Sequence, residues 1–462
     1  MTNEQLVISD LISRARTAQD QIADYTQEQI DALVKAIAWE IVKEENSEML
    51  AQLAIDESEL GNYQGKYVKL QKKVRGNLRD MIGKKSVGII EEDDEKGIIK
   101  IAKPVGVIGA LVPCTNPEAT PVIKAMNAIK GKNAIVFAPH PRTKKTNSKI
   151  VEVMRSALKK FDAPEDLLIA IDEPSLGLSE QLMSQCDLVV ATGGSGMVKA
   201  AYSSGTPAYG VGAGNAVVVV DETADIKDAA AKIRASKTFD FATSCSSENS
   251  IVVVESIYDD LMTELQAEGG YLTSTDEKVK VQNALWVDGH LNRRIIAQPA
   301  VKIAEIAGLD ISDEKSFIMV EETGVGADSP FSGEKMSVVL TVYKAKDFDA
   351  AVDKVNEITG YQGSGHSCGL HTTDEERVKA IGLRTKTSRV MIRQSQCYGN
   401  SGNRDNGMPF TLTLGCGSWG GNISSENISF KHFINITWVS KPIPESIPSD
   451  EELFGDIMDK KK

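Results

Sequence analysis

No stretch of this chain comes near the roughly 18 uninterrupted apolar residues that a membrane-spanning helix needs. The amino-terminal MTNEQLVISDLISRARTAQDQ also lacks the continuous apolar core that directs export. Six cysteines, at 114, 186, 245, 368, 397 and 416, are too dilute for a disulfide scaffold and form no CxxC pair or zinc-like spacing. A reducing cytoplasm is therefore the expected setting. Positive charge is also scarce: 52 Lys and Arg stand against 65 Asp and Glu, a net charge of −13. That balance works against nucleic-acid and anionic-membrane partners, which need a concentrated positive field. What is present is an ordinary globular composition, 41% hydrophobic and 25% charged, in 462 residues, more than one hydrophobic core normally serves.

Residues 1 to about 85 place apolar positions three and four apart, as in IDALVKAIAWEIV, and read as amphipathic helices. Short β-branched runs then alternate with helical periodicity: NAIVFAP and KIVEVMRSALKKF, DLLIAID and SLGLSEQLMSQ, LVVATG and SGMVKAAYSSG, AVVVVD and IKDAAAKIRASK. This is the pattern of a parallel sheet covered on both faces, a doubly wound α/β domain. A second α/β series starts at SIVVVES, which puts a boundary near 235 to 240. The alternating ISFKHFINITWVSKP, 428 to 442, is expected to pair with the early strand at 96 to 103. The last segment, PSDEELFGDIMDKKK, reads either as a frayed tail or as a docking peptide.

Several motifs admit both a chemical and a purely structural reading. Cys245, in TFDFATSCSSENS, is either a small core residue or a nucleophile. Gly193, Gly194 and Gly196 lie between an apolar strand and a helix, where they either serve the turn or let backbone amides approach a phosphate. Gly210, Gly212 and Gly214 precede a strand, either as a flexible lead-in or for a close approach. Asn116, in PCTNPEATP, either holds an Asx turn or donates to an oxyanion. His366 and His371 in GHSCGLHT are five apart, which suits no metal site, so no metal is expected.

Taken together these segments closely resemble the CoA-acylating aldehyde dehydrogenases, over about residues 10 to 445. The matching blocks are PVGVIGALVPCTNPEATP, NAIVFAPHPR, ATGGSGMVKAAYSSGTPAYGVGAGN, SKTFDFATSCSSENSIVV, GHSCGLHT and LTLGCGSWGGNISSENISFKH. The resemblance implies an aldehyde dehydrogenase-like α/β fold: two doubly wound parallel-sheet domains plus a small oligomerisation arm. It divides the chain into a dinucleotide-binding domain at 1–237, with 90–104 lent to the arm, a catalytic domain at 238–426, and an oligomerisation strand and tail at 427–462. It implies a homodimer or larger homo-oligomer. Were the tail a docking peptide, it would point to a bacterial microcompartment.

The same resemblance assigns Cys245 the nucleophile's role and Asn116 the oxyanion donor, with His366 deprotonating or orienting the CoA thiol or serving only structure. It implies a cofactor surface of Thr115, Ala138, His140, Pro141, Arg142, Thr192, Gly193, Gly194, Ser195, Gly212 and Gly214, with Glu334 on the nicotinamide-side ribose. Hydrolytic relatives carry a water-activating glutamate in an E-L-G-G-K-type segment, and here the similar segment is Gly210 to Gly214, without it. A thiol is intrinsically a better nucleophile than water, so CoA is the expected acyl acceptor. Where hydrolytic relatives often have K-P-S-E, this chain has Ala138 to Pro141 followed by Arg142, which admits NADP alongside NAD. The segment 388 to 410 resembles that of acylating sulfoacetaldehyde dehydrogenases. Its Arg393, Gln394, Tyr398, Asn400, Asn403 and Arg404 are expected either to hold a small anionic aldehyde or to form an intersubunit salt bridge. Acetaldehyde, propionaldehyde and malonate semialdehyde are the alternative substrates, and a non-catalytic oligomeric scaffold is the alternative of another class.

Overall fold

The computed structural model describes residues 2–458, so the basic end of the tail, 459–462, lies outside the described residues. Two parallel sheets organise the chain. The first has five strands, in the order Leu168–Ala170, Ala134–Pro139, Val107–Val112, Leu188–Ala191, Ala208–Gly210. Every neighbouring pair in it is parallel. The strand Val107–Val112 is first in sequence and central in space, so the winding direction reverses between it and Leu188–Ala191. In open α/β sheets a ligand crevice lies at that reversal, outside the carboxyl ends of the strands.

The second sheet has seven parallel strands, ordered Gly270–Leu272, Phe317–Glu321, Val339–Ala345, Glu248–Val254, Ala216–Val220, Cys368–His371, Val390–Ile392. Its central strands are buried on both faces, which is why AVVVV and SIVVV are continuous apolar runs rather than alternating ones. Val218, Val220 and Val253 pack on one side with Ile233, Leu261 and Ile303 from helices, whereas Val217, Val219 and Val252 pack on the other with Val352, Val355 and Ile358.

The change from one sheet to the other falls between Gly210 and Ala216, not near 237. The strand Ala216–Val220 lies between Glu248–Val254 and Cys368–His371, and the helix Ile226–Thr238 packs on that second sheet. Strand and helix alternate without interruption across this point, so periodicity carries no mark of where the chain changes sheet.

Four helices, Asn3–Gln21, Gln27–Val42, Glu44–Ser58 and Tyr63–Met81, precede the first sheet. The first two open with complete capping boxes on Thr2 and Thr26. A separate three-stranded antiparallel sheet joins Gly88–Asp93, Ile98–Pro104 and Ile434–Ser440, so the carboxyl-terminal strand pairs with the early one as expected. Its outer strand leaves Trp438 exposed. Among the described residues no helix is long and apolar enough to cross a membrane.

Candidate active site

A cleft of about 760 Å³ opens at the winding reversal of the first sheet and runs to the second. Its walls are the turns that follow the strands: Pro113 to Asn116 after Val107–Val112, Pro139 to Arg142 after Ala134–Pro139, and Thr192 to Ser195 after Leu188–Ala191. Val211 to Gly214 and Thr243 to Ser246 close the inner end, with Glu334, Gln362 and Met336 beyond. Thr115, Ala138, His140, Pro141, Arg142, Thr192, Gly193, Gly194, Ser195, Gly212, Gly214, Glu334, Asn116 and Cys245 all line this one cavity.

The chain reaches Cys245 through a strained turn. Asp240, Phe241 and Ala242 all have left-handed backbone, at φ 47°, 49° and 62°. Each such non-glycine residue costs on the order of 1–3 kcal/mol, so the surroundings must hold the turn in place. They do so through a buried ion cluster. Lys66 Nζ and Lys69 Nζ lie 3.0 and 2.5 Å from Asp240 Oδ2, and Lys69 also lies 3.1 Å from Glu118 Oε1. Burial alone would push the Asp240 carboxyl up, but Lys69 and Lys66 outweigh it and hold the group below its ordinary value. Asp240 further accepts from Thr243 Oγ1 at 2.6 Å and from the Asn62 backbone at 2.7 Å.

The same cluster orients Asn116. Lys69 Nζ donates to Asn116 Oδ1, which fixes the amide with Nδ2 toward the nucleophile segment, where it donates to Thr243 O at 3.2 Å.

Cys245 Sγ lies 3.3 Å from His366 Nε2, and His366 Nδ1 lies 2.9 Å from Ser367 Oγ. Burial pushes the Cys245 thiol up to about 12, with Glu334 adding to the effect. Burial, with Arg389 behind it, pushes the His366 imidazole down to about 3. The pair therefore rests as thiol and neutral imidazole, and in the tautomer protonated at Nδ1 the Sγ–H donates to Nε2. His366 does not line the cleft but backs the sulfur from within the protein. Arg389 fixes it there, donating to His366 O at 3.0 Å and to Asn427 Oδ1 at 2.7 Å. His371 is buried at the end of its strand and takes no part in the cleft.

The glycine-rich joiner explains why no carboxylate faces the sulfur from this side. A Cβ at 214 would lie 2.1 Å from Cys245 O, and one at 210 would lie 2.7 Å from Val198 Cγ1 and 2.8 Å from Tyr202 Cε2. Among the described residues lining the cleft the one carboxyl group is Glu334, and burial pushes it up to about 8. Burial therefore favours its protonated form near neutral pH. Gly214→Ala is expected to lower kcat by at least about 10²-fold, because a displacement of about 1 Å at the nucleophile suffices for that. Full activity in that variant would show that the joiner is not pressed against Cys245.

The end of the cleft at Thr192 to Ser195 is open. At Gly194 and Gly196 a Cβ would meet nothing within 4 Å, so the backbone at the start of the helix Ser195–Ser203 is free to receive a pyrophosphate. Arg142 donates to Ser58 O, and Arg293 joins it and His140 on the cleft wall.

The side chains expected to hold an anionic aldehyde lie elsewhere. Arg393 follows the strand Val390–Ile392 with φ 51°, and this turn sends its guanidinium to Thr372 O at 2.7 Å and toward Glu375. Gln394 accepts from Asn406 Nδ2, Asn403 uses its backbone on Asn406 Oδ1, and Asn400 is buried on Gln396 O at 3.0 Å. The Tyr398 ring packs on Phe239, and Arg404 is exposed. From this segment it is Cys397 and Ser401, not these residues, that reach the cleft. Lys69, Lys73, Gln362 and Arg293 also line it and were not anticipated. A signal for the lysines existed: Lys66, Lys69 and Lys73 fall on the buried stripe of Tyr63–Met81, with Leu70 and Val74, where apolar residues are expected.

Comparison with known proteins places these features in context. The Aldehyde dehydrogenase family model matches residues 3–283. A sulfoacetaldehyde dehydrogenase of Acholeplasma sp is 50% identical over 98% of this chain and 94% of its own length. An acylating sulfoacetaldehyde dehydrogenase of Bilophila wadsworthia is 46% identical over 98% and 99%. Among solved structures, an acetylating aldehyde dehydrogenase from Geobacillus thermoglucosidasius superposes with a TM-score of 0.93, at 36% identity, over 96% of this chain and 98% of that one.

Proposed function

Because the chain belongs to the aldehyde dehydrogenase family, in its acylating branch, we propose that it interconverts a small anionic aldehyde, sulfoacetaldehyde foremost, and the corresponding acyl-CoA through a thioester on Cys245. The observation that carries this reading is the contact of Cys245 with His366 beside a cleft whose joiner, Gly210 to Gly214, carries no carboxylate.

As the aldehyde carbon approaches, His366 Nε2 takes the thiol proton and Sγ bonds to the carbon. Thiolate is scarce at rest, so proton removal and attack go together. The oxygen, now carrying the electron pair of the broken π bond, is assigned the Asn116 amide and the Cys245 backbone N–H as donors, groups of a kind worth roughly 10²- to 10³-fold each. A nicotinamide cofactor, when bound, supplies the hydride acceptor. Cys245 then holds the acyl group until CoA displaces it: the CoA sulfur bonds to the acyl carbon as the bond to Sγ breaks, the CoA thiol proton leaves to solvent, and Sγ takes back the proton held on His366. Reversal of the same steps reduces an acyl-CoA to an aldehyde.

The turn Thr192 to Ser195 and the open glycines fit a pyrophosphate, and Glu334 is offered to the ribose on the nicotinamide side. His140, Arg142 and Arg293, with no carboxylate lining that wall, support NADP as well as NAD. The exposed edge Ile434–Ser440 with Trp438 supports a homo-oligomer. The helix Asp450–Met458 buries no residue and exposes Leu453, Phe454, Ile457 and Met458, which supports a docking role, as in a microcompartment, over a frayed tail.

The test is direct: purified protein with NAD or NADP, with and without CoA, on sulfoacetaldehyde, malonate semialdehyde, acetaldehyde and propionaldehyde. Acyl-CoA formation that requires CoA and favours an anionic aldehyde is the expected result. Free carboxylate formed without CoA at a comparable rate overturns it.

A further inference from the structure

Lys73 is the one cation in the cleft wall whose charge nothing described so far employs. It lies on the helix Tyr63–Met81 four residues after Lys69, just over one turn or about 6 Å further along, and both lysines line the cleft. Lys69 donates to the amide oxygen of Asn116, and Asn116 and Lys73 line the same cleft. The charge of Lys69 is matched by Asp240 and Glu118. Lys73 has no such match. Its polar contacts are three backbone carbonyls, Gly402 O at 2.7 Å and Tyr398 O and Ser401 O at 3.4 Å, although it is only 6% exposed. A buried ammonium without a counter-charge is costly to keep, and an anion delivered to it from the cleft removes that cost.

We propose that Lys73 selects aldehydes that carry a sulfonate or carboxylate beside the carbonyl, pairing with that group while Asn116 holds the aldehyde oxygen. This assignment rests on the acylating reading above and replaces Arg393, whose guanidinium is occupied on Thr372 O. Burial pushes the Lys73 ammonium down to about 7. The titratable or charged groups facing it are Cys397, Lys69 and Lys72, and burial pushes the Cys397 thiol up to about 12.

The experiment compares kcat/KM for sulfoacetaldehyde, malonate semialdehyde and propionaldehyde, each with CoA, in the wild type and in Lys73→Met, Lys73→Gln and Lys73→Arg. In Met and Gln the ratio of either anionic substrate to propionaldehyde is expected to fall about 10- to 150-fold, the range for a hydrogen bond to a charged group. The loss should lie in KM for the anionic substrates, with part of it regained in Arg. Should the variants fail to fold, the wild type decides. Its sulfoacetaldehyde KM is expected to rise from about pH 7 to about pH 9 as the ammonium loses its proton, with the propionaldehyde KM lacking that rise. An unchanged ratio in Met and Gln, or a sulfoacetaldehyde KM flat with pH, makes Lys73 a structural cap of the 398–402 carbonyls and overturns the proposal while leaving the acylating chemistry standing. Absence of CoA-dependent turnover on every aldehyde removes both readings together.

Discussion

Cys245→Ala is expected to reduce aldehyde oxidation by at least about 10⁴-fold, with no acylated protein detectable by mass spectrometry, because the covalent step has no substitute. Three cysteines line the cleft, Cys114, Cys245 and Cys397, so proximity to substrate does not single one out. What does is the base. Among the described residues Cys245 has an imidazole in contact with its sulfur, whereas burial pushes the Cys114 and Cys397 thiols up with no imidazole beside them. The variant should still bind nicotinamide cofactor, since none of the cofactor turns depends on Sγ. Turnover surviving at a tenth of the wild-type rate would move the nucleophile elsewhere.

His366→Ala is expected to lower kcat/KM by about 10²- to 10⁴-fold, the usual worth of a positioned general base. Its pH dependence separates a base from a mere packing residue. Burial pushes the wild-type imidazole down to about 3, so its base form is present at every pH above about 4 and the profile should show no acid limb near pH 6.5. In the alanine variant thiolate must come from solvent. With the Cys245 thiol up at about 12, residual activity should then rise about tenfold per pH unit between about pH 7 and pH 10. A variant whose profile keeps the wild-type shape would assign His366 to structure alone.

Much of this molecule could be read from its residues because the strands are buried on both faces and announce themselves as β-branched runs. Gly214 was legible for a similar reason: it marks a place where backbone meets backbone, at the carbonyl of Cys245. The change of sheet before Ala216 was not legible, since both sheets use the same strand and helix rhythm. Nor was the placement of the side chains from 393 to 404. Arg393 and Asn400 have the right chemistry, but one is turned away by a left-handed backbone and the other is spent on Gln396. Lys69 and Lys73 come from a helix more than 150 residues before Cys245, and only the tertiary fold carries them to it.

The joiner from Val211 to Gly214 is at once the covalent bridge between the two sheets and the surface against which the nucleophile's carbonyl rests. A change of tilt between the lobes therefore bears directly on the reactive sulfur. A carboxylate at 210, just before it, would have to displace the Val198 and Tyr202 side chains, so a turn to water as acyl acceptor would ask for changes in the helix Ser195–Ser203 as well as in the joiner.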